Sequence, residues 1–197
     1  GSLPALRPGT LASTSVTNNG ASQTGAIGNV NTNDPTLQRL ANGTLQRGRD
    51  FTCVRTTLDN MARRGVRGPA ATGQDEGNNP RGGMVQLMNG NGWRSISTPG
   101  ARTETIRSPY GTVQASVIPA AEYDRLAREG RIPSGAVVFQ TRHASWNSTN
   151  AGARGFDMGI ARNGGRNTFN YADMRQPLVY GARTQSVVVL VPGSAVR

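Results

Sequence analysis

The chain reads as an α+β domain in which a helix bearing the only cysteine packs on a mostly antiparallel sheet. Three observations predict this: one strongly amphipathic helix, a series of short apolar runs in the C-terminal half, and turn residues between them. The helix is the clearest element. In "DFTCVRTTLDNMARRGV", residues 50–66, Val54, Leu58, Met61 and Ala62 recur at helical spacing and make one apolar face. Asp50 or Thr52 suits the N-cap, Arg63 and Arg64 suit the last turn, and Gly65 stops the helix, which is expected over 52–64. Before it, "TLQRLANGTLQRG" repeats Thr-Leu-Gln-Arg at 36 and 44. That period is too short for a solenoid, so a brief helix and a second turn are expected.

After the cysteine helix, "RGPAATGQDEGNNPRGG" (67–83) reads as a long loop bordering a cleft, and "GMVQLMNGNGW" as a short helix or strand ending in a turn at Trp93. "GTVQASVIP" alternates as a strand does. "AAEYDRLAREG" is an amphipathic helix with Tyr123, Leu126 and Ala127 inward and Gly130 as its stop. "IPSGAVVFQTRH" is a turn feeding an apolar strand over 136–141. "FDMGIAR" and "NTFNYADM" form a hairpin around Gly164 and Gly165, and "QSVVVLVP" (185–192) is a last buried strand. Residues 1–34 are rich in Ser, Thr, Asn and Gly, which predicts a disordered or loosely docked arm ahead of a domain over 35–197.

Composition narrows the chemistry. The net charge of +11 comes from 22 arginines, because the chain contains no lysine. P-loop phosphate binding, Schiff-base catalysis and Ser-Lys dyads are thereby excluded. A GC-rich genome accounts for such a bias; so does selection against ubiquitination in a bacterial protein that enters a eukaryotic cell. One Cys permits no internal disulfide, and one Cys with one His makes no Cys/His zinc site, so neither metal nor other cofactor is expected. No run approaches the roughly 18 consecutive apolar residues of a membrane span. There is no G-x-S-x-G elbow and no glycine fingerprint opening a βαβ unit.

The remaining constellation is Cys53, His143 and Asp157. Cys53 falls in the first helical turn, where orphan N–H groups and the helix dipole favour a thiolate; the plain alternative is a small buried hydrophobe. His143 lies just past the 136–141 strand in "FQTRHASWN", a place where a lone His is otherwise structural or solvated. Asp157 opens the next strand. Thiol catalysis needs these three roles: a polarised sulfur, a base for its proton, and a group that orients the base. Asn170 and Asp173 are reserve candidates for the orienting role.

A helix-borne Cys, then "IPSGAVVFQ" as the strand before the site, then a hairpin, resembles the papain-like fold. It is similar in particular to the NlpC/P60 and CHAP cell-wall peptidases and to type VI secretion amidase effectors, over about residues 45–175. The resemblance implies a nucleophile at Cys53 and an oxyanion-hole amide near Gln46. It also exposes a departure. The family's His usually opens a strand like "HVGI", and here "DMGI" puts Asp157 in that slot, with His143 displaced into the preceding segment.

These readings imply a monomeric cysteine peptidase or amidase, secreted or translocated by a bacterium, cleaving an amide bond in peptidoglycan peptides. An immunity protein or inhibitor is a natural partner for such an enzyme. Two other expectations stand beside it: a host-directed protease or deamidase, and a basic nucleic-acid-binding or nuclease toxin that needs no thiol. The arginines are spread along the chain with 10 aromatics and no nucleic-acid module, which disfavours the last.

Overall fold

The strands β5 (Val137–Thr141) and β9 (Ser186–Pro192) are nearly continuous apolar runs, and each residue of both is buried. Such runs require cover on both faces of the sheet, and the computed structural model supplies it. It describes residues 24–48, 52–69, 79–148 and 154–197. Among these, α2 (Cys53–Arg63) and α3 (Asn79–Gly90) pack on one face, where Val137, Phe139, Met158, Ile160, Val188 and Leu190 point. The other face, with Val138, Ala161, Val187, Val189 and Val191, is covered by Leu37 of α1 (Pro35–Ala41) and by Tyr123, Leu126 and Ala127 of α4 (Ala120–Arg128).

The described sheet runs β1 (Thr24–Ala26), β2 (Trp93–Ser97), β9, β5, β6 (Phe156–Arg162), β7 (Asn167–Phe169), β8 (Asp173–Met174). A hairpin of β3 (Arg102–Ser108) and β4 (Gly111–Pro119) joins β9 through Ile118 and Pro119. All pairs are antiparallel except β1 with β2. The α+β expectation therefore holds.

Several boundaries differ from expectation. Residues 24–34 belong to the fold: β1 pairs with β2, Val30 bridges Val196, and the Asp34 carboxylate caps α1 by accepting from Thr36 and Leu37 N–H. The rest of the expected arm, 1–23, lies outside the described residues, as do Asp50 and residues 70–78 of the expected long loop. Its final stretch, 79–83, is the start of α3. Residues 42–48 form no second helical turn. β2 and β3 were not legible as strands; β3 is a polar run with only Ile106 fully buried, so little apolar signal marks it. In α2 the buried apolar residues are Val54, Leu58 and Met61, but Ala62 is exposed. The buried stripe is 54, 57, 58, 61, and at 100° per residue position 62 turns off it. Cys53 turns off the same stripe on the opposite flank, toward β6. Gly65 ends the helix at φ 72°, as its freedom from a Cβ allows.

Candidate active site

Strand register explains why the cysteine meets β6. Ala161 N–H donates to Ala136 C=O and Arg142 N–H donates to Gly155 C=O, so the hydrogen-bonded pairs of β5 and β6 are Val138 with Gly159 and Gln140 with Asp157. Met158, opposite Phe139, falls between them and turns its N–H and C=O away from β5. On that side β7 reaches only to Phe169, opposite Ile160. The main chain of Met158 is thus open, and the first turns of α2 fill the gap. Thr57 Oγ1 donates to Met158 C=O at 3.4 Å, and Met158 N–H donates to the Cys53 sulfur.

The neighbouring residue is Asp157. Its carboxylate accepts from the Cys53 thiol and, at 3.2 Å, from Asn170 Nδ2. Asn170 is fully buried and is itself held by its Oδ1, which accepts from Tyr171 N–H at 2.7 Å and Ala172 N–H at 3.4 Å. A line Cys53–Asp157–Asn170 results, joining a helix start, a strand and the turn after β7. Burial pushes the Asp157 carboxyl up to about 6, against the opposing hydrogen bonds from Cys53, Asn170 and Met158 N–H. Cys53 is half-buried. Its thiol is pushed well above the ordinary range, by burial first and then by the Asp157 charge and hydrogen bond. The N–H groups of Met158 and Val54 pull the other way and are outweighed. Against the expectation of an acidic Cys53, burial and the neighbouring Asp157 charge favour the protonated thiol.

Gln140, directly opposite Asp157 in the register, shares its face of the sheet. Its Nε2 donates to Pro177 C=O at 2.8 Å and its Oε1 accepts from Val179 N–H at 2.7 Å. Thr168 Oγ1 also donates to Pro177 C=O, at 3.1 Å. These bonds lay residues 177–180 beside Asp157 and bring in Tyr180. Its hydroxyl is held protonated by burial first and then by the charge of Asp157, opposed by Arg142 and Arg183. Neither Gln140 nor Tyr180 was singled out from the sequence. A polar residue inside "AVVFQT" was the available signal for the first; the second carried none.

The other expected residues sit elsewhere. His143 is half-buried in the loop after β5, its Nε2 2.8 Å from Arg154 C=O and its ring 5.0 Å from that of Phe156. It is not among the groups that act on the Cys53 thiol. Gly155, at φ 80°, packs so closely that a Cβ there would lie 2.6 Å from His143 Nε2. Gln46 is exposed, and its main chain is clamped by Asn60, whose Oδ1 accepts from Gln46 N–H at 2.8 Å and whose Nδ2 donates to Gln46 C=O at 2.9 Å. Asp173 is exposed, with Asn167 Nδ2 at 3.4 Å. Among the described residues no group of three His, Cys, Asp or Glu side chains could hold a metal ion, and no helix is long and apolar enough to cross a membrane.

No family model matches this chain, and no curated protein or solved structure matches it significantly.

Proposed function

We propose that the protein is a papain-like thiol hydrolase that cleaves an amide bond, with Cys53 as nucleophile, Asp157 as its base and Asn170 as the group that orients the base. One observation carries this reading: a thiol at a helix start, hydrogen-bonded to a strand-borne carboxylate that a buried amide also holds. Asp157 stands in the slot where the family that the sequence resembles has its histidine, so the same three roles are filled with an acid as base. His143 has no part in this layout.

In the reaction, Cys53 gives its proton to Asp157 as the sulfur attacks the carbonyl carbon. The oxyanion so formed is met by the Cys53 main-chain N–H, which has no partner within the helix because it lies in the first turn. Asp157 then passes the proton to the departing amine nitrogen, leaving a thioester on Cys53. A water gives one proton to Asp157 while its oxygen attacks the thioester; collapse releases the acid and returns the proton to sulfur. A raised carboxyl pKa suits this work, since a base near 6 is ionised at neutral pH yet holds a proton better than an ordinary carboxylate. The basic surface favours anionic material, and the substrate we propose is a peptidoglycan peptide, met outside the producing cell.

Digestion of purified peptidoglycan, followed by mass analysis of the released fragments, tests the reading. Amide cleavage that is lost after iodoacetamide treatment and in Cys53→Ala is expected. Turnover should rise with pH through about 6 as Asp157 ionises. Cleavage of a protein substrate instead would keep the thiol chemistry and change the target. Full activity in Cys53→Ala would overturn the proposal.

A further inference from the structure

The outer face of α2 carries a second feature that the thiol chemistry does not use. A cavity of about 270 Å³ opens there, lined by Gln46, Arg47, Arg55, Thr56, Asp59 and Arg63. Arg55, Asp59 and Arg63 recur at four-residue spacing and so share one helix face. Arg47 reaches the same space from the segment that Asn60 clamps onto the helix. Three guanidinium groups therefore surround the cavity, against one carboxylate, that of Asp59. No ion pair among the described residues involves Arg47, Asp59 or Arg63.

The independent observation is Thr56. It is 4% exposed, and its hydroxyl has no hydrogen-bond partner among the described residues. A buried hydroxyl without a partner costs stability, and Thr56 is one of the residues that line this cavity. Gly48 presses against it so closely that a Cβ there would overlap the hydroxyl oxygen, and Gly48 N–H donates to Tyr171 C=O at 2.9 Å. The cavity wall is thereby tied to the residue following Asn170.

We infer that this cavity is a binding site for a small oxyanion, a phosphate or carboxylate group, held by Arg47 and Arg63 with Thr56 Oγ1 as a hydroxyl donor. Guanidinium forks match the paired oxygens of both groups. The Thr56 hydroxyl, at the Gly48 wall and without a partner among the described residues, is the further donor the site offers. This inference does not depend on the thiol reading, and Cys53→Ala protein should bind the anion as the parent does.

Calorimetric titration at low salt tests it, with inorganic phosphate in one arm and the dicarboxylate succinate in the other. Saturable binding with one site per chain is expected in at least one arm, and the tighter arm identifies the group. The Arg47→Gln, Arg63→Gln double variant should weaken it at least about tenfold. Thr56→Val should weaken it by roughly threefold to tenfold, while raising the thermal midpoint of the ligand-free protein because an unpartnered hydroxyl is removed. That opposite movement of affinity and stability separates a binding role from a structural one. Non-saturable heats in both arms, or equal affinity in the arginine double variant, would overturn the proposal.

Discussion

Phe156 and Asp157 are adjacent in β6, yet they belong to different neighbourhoods. Phe156 faces His143, with ring centroids 5.0 Å apart, Trp146 at 5.9 Å, and the Arg81 guanidinium 5.3 Å from its ring. Asp157 meets Cys53 and Asn170. In the first neighbourhood polar atoms serve the loop itself: the His143 ring sits on Arg154 C=O, and Trp146 Nε1 donates to Ser186 Oγ at 2.9 Å. In the second, donors converge on one carboxylate. The difference teaches that the open edge of β6, where β7 stops and α2 inserts, rather than residue type, selects which titratable group reaches the thiol. A one-residue step along a strand changes the face: Phe156 points with Met158 to the α2 side of the sheet, and Asp157 to the other with Gln140. Asp157 therefore meets Cys53 only where β7 stops and leaves the edge of β6 open.

The comparison breaks most completely at the sulfur. Cys53→Ala should abolish turnover and leave the thermal midpoint nearly unchanged, since it removes one half-buried atom at a helix start. Circular dichroism melting beside an activity assay checks both halves of this expectation.

Next in size is the contrast between the two neighbours. Asp157→Asn should lower turnover by roughly 100- to 10,000-fold, the range typical of a lost general base. His143→Ala should keep turnover within a factor of a few and cost about 1–2 kcal/mol of stability through the lost ring contact and hydrogen bond. Kinetics and denaturant titration of the two variants decide it. The reverse pattern would return the base to the 142–155 loop.

Stability against pH sharpens the same point. The Asp157 carboxyl has its folded value raised to about 6 from an ordinary 3.8, so the folded chain binds this proton more tightly than the unfolded one. Its contribution to stability is present below about pH 4 and is lost as pH rises to about 6, a change of about 3 kcal/mol. Asp157→Asn removes this titration. The variant's melting temperature relative to the parent should therefore climb by roughly 5–10 °C between pH 4 and pH 7.

The smallest effect is expected at Asp173. Asp173→Asn should leave turnover and stability close to those of the parent, because the side chain is exposed and its described hydrogen bond, from Asn167, survives the change. A large loss of turnover there would move the orienting role from Asn170 to β8.

Much of the fold was legible because its signals are local. Val54, Leu58 and Met61 mark α2 by their spacing, Gly65 and Gly130 mark helix ends by the left-handed backbone they adopt, and the runs 136–141 and 185–192 mark strands by their apolar content. β1 and β3 escaped because each owes its existence to a partner: three residues of β1 lie along β2, and polar β3 is held by the ladder to β4. At the site, Cys53 and Asp157 could be named from residue type and position, and "DMGI" already placed an acid where a histidine is usual.

The sequence by itself determined that a single thiol would open a helix, that one carboxylate would begin a strand, and that lysine chemistry was absent. These follow from composition and from periods of 3.6 and 2 residues. Only the tertiary structure decided which polar groups meet. Where β7 stops, the open edge of Met158 admits α2; Gln140 draws residues 177–180 over Asp157; and burial raises the carboxyl and the thiol together. Register, strand length and desolvation are properties of the assembled sheet, and no local stretch of residues encodes them alone.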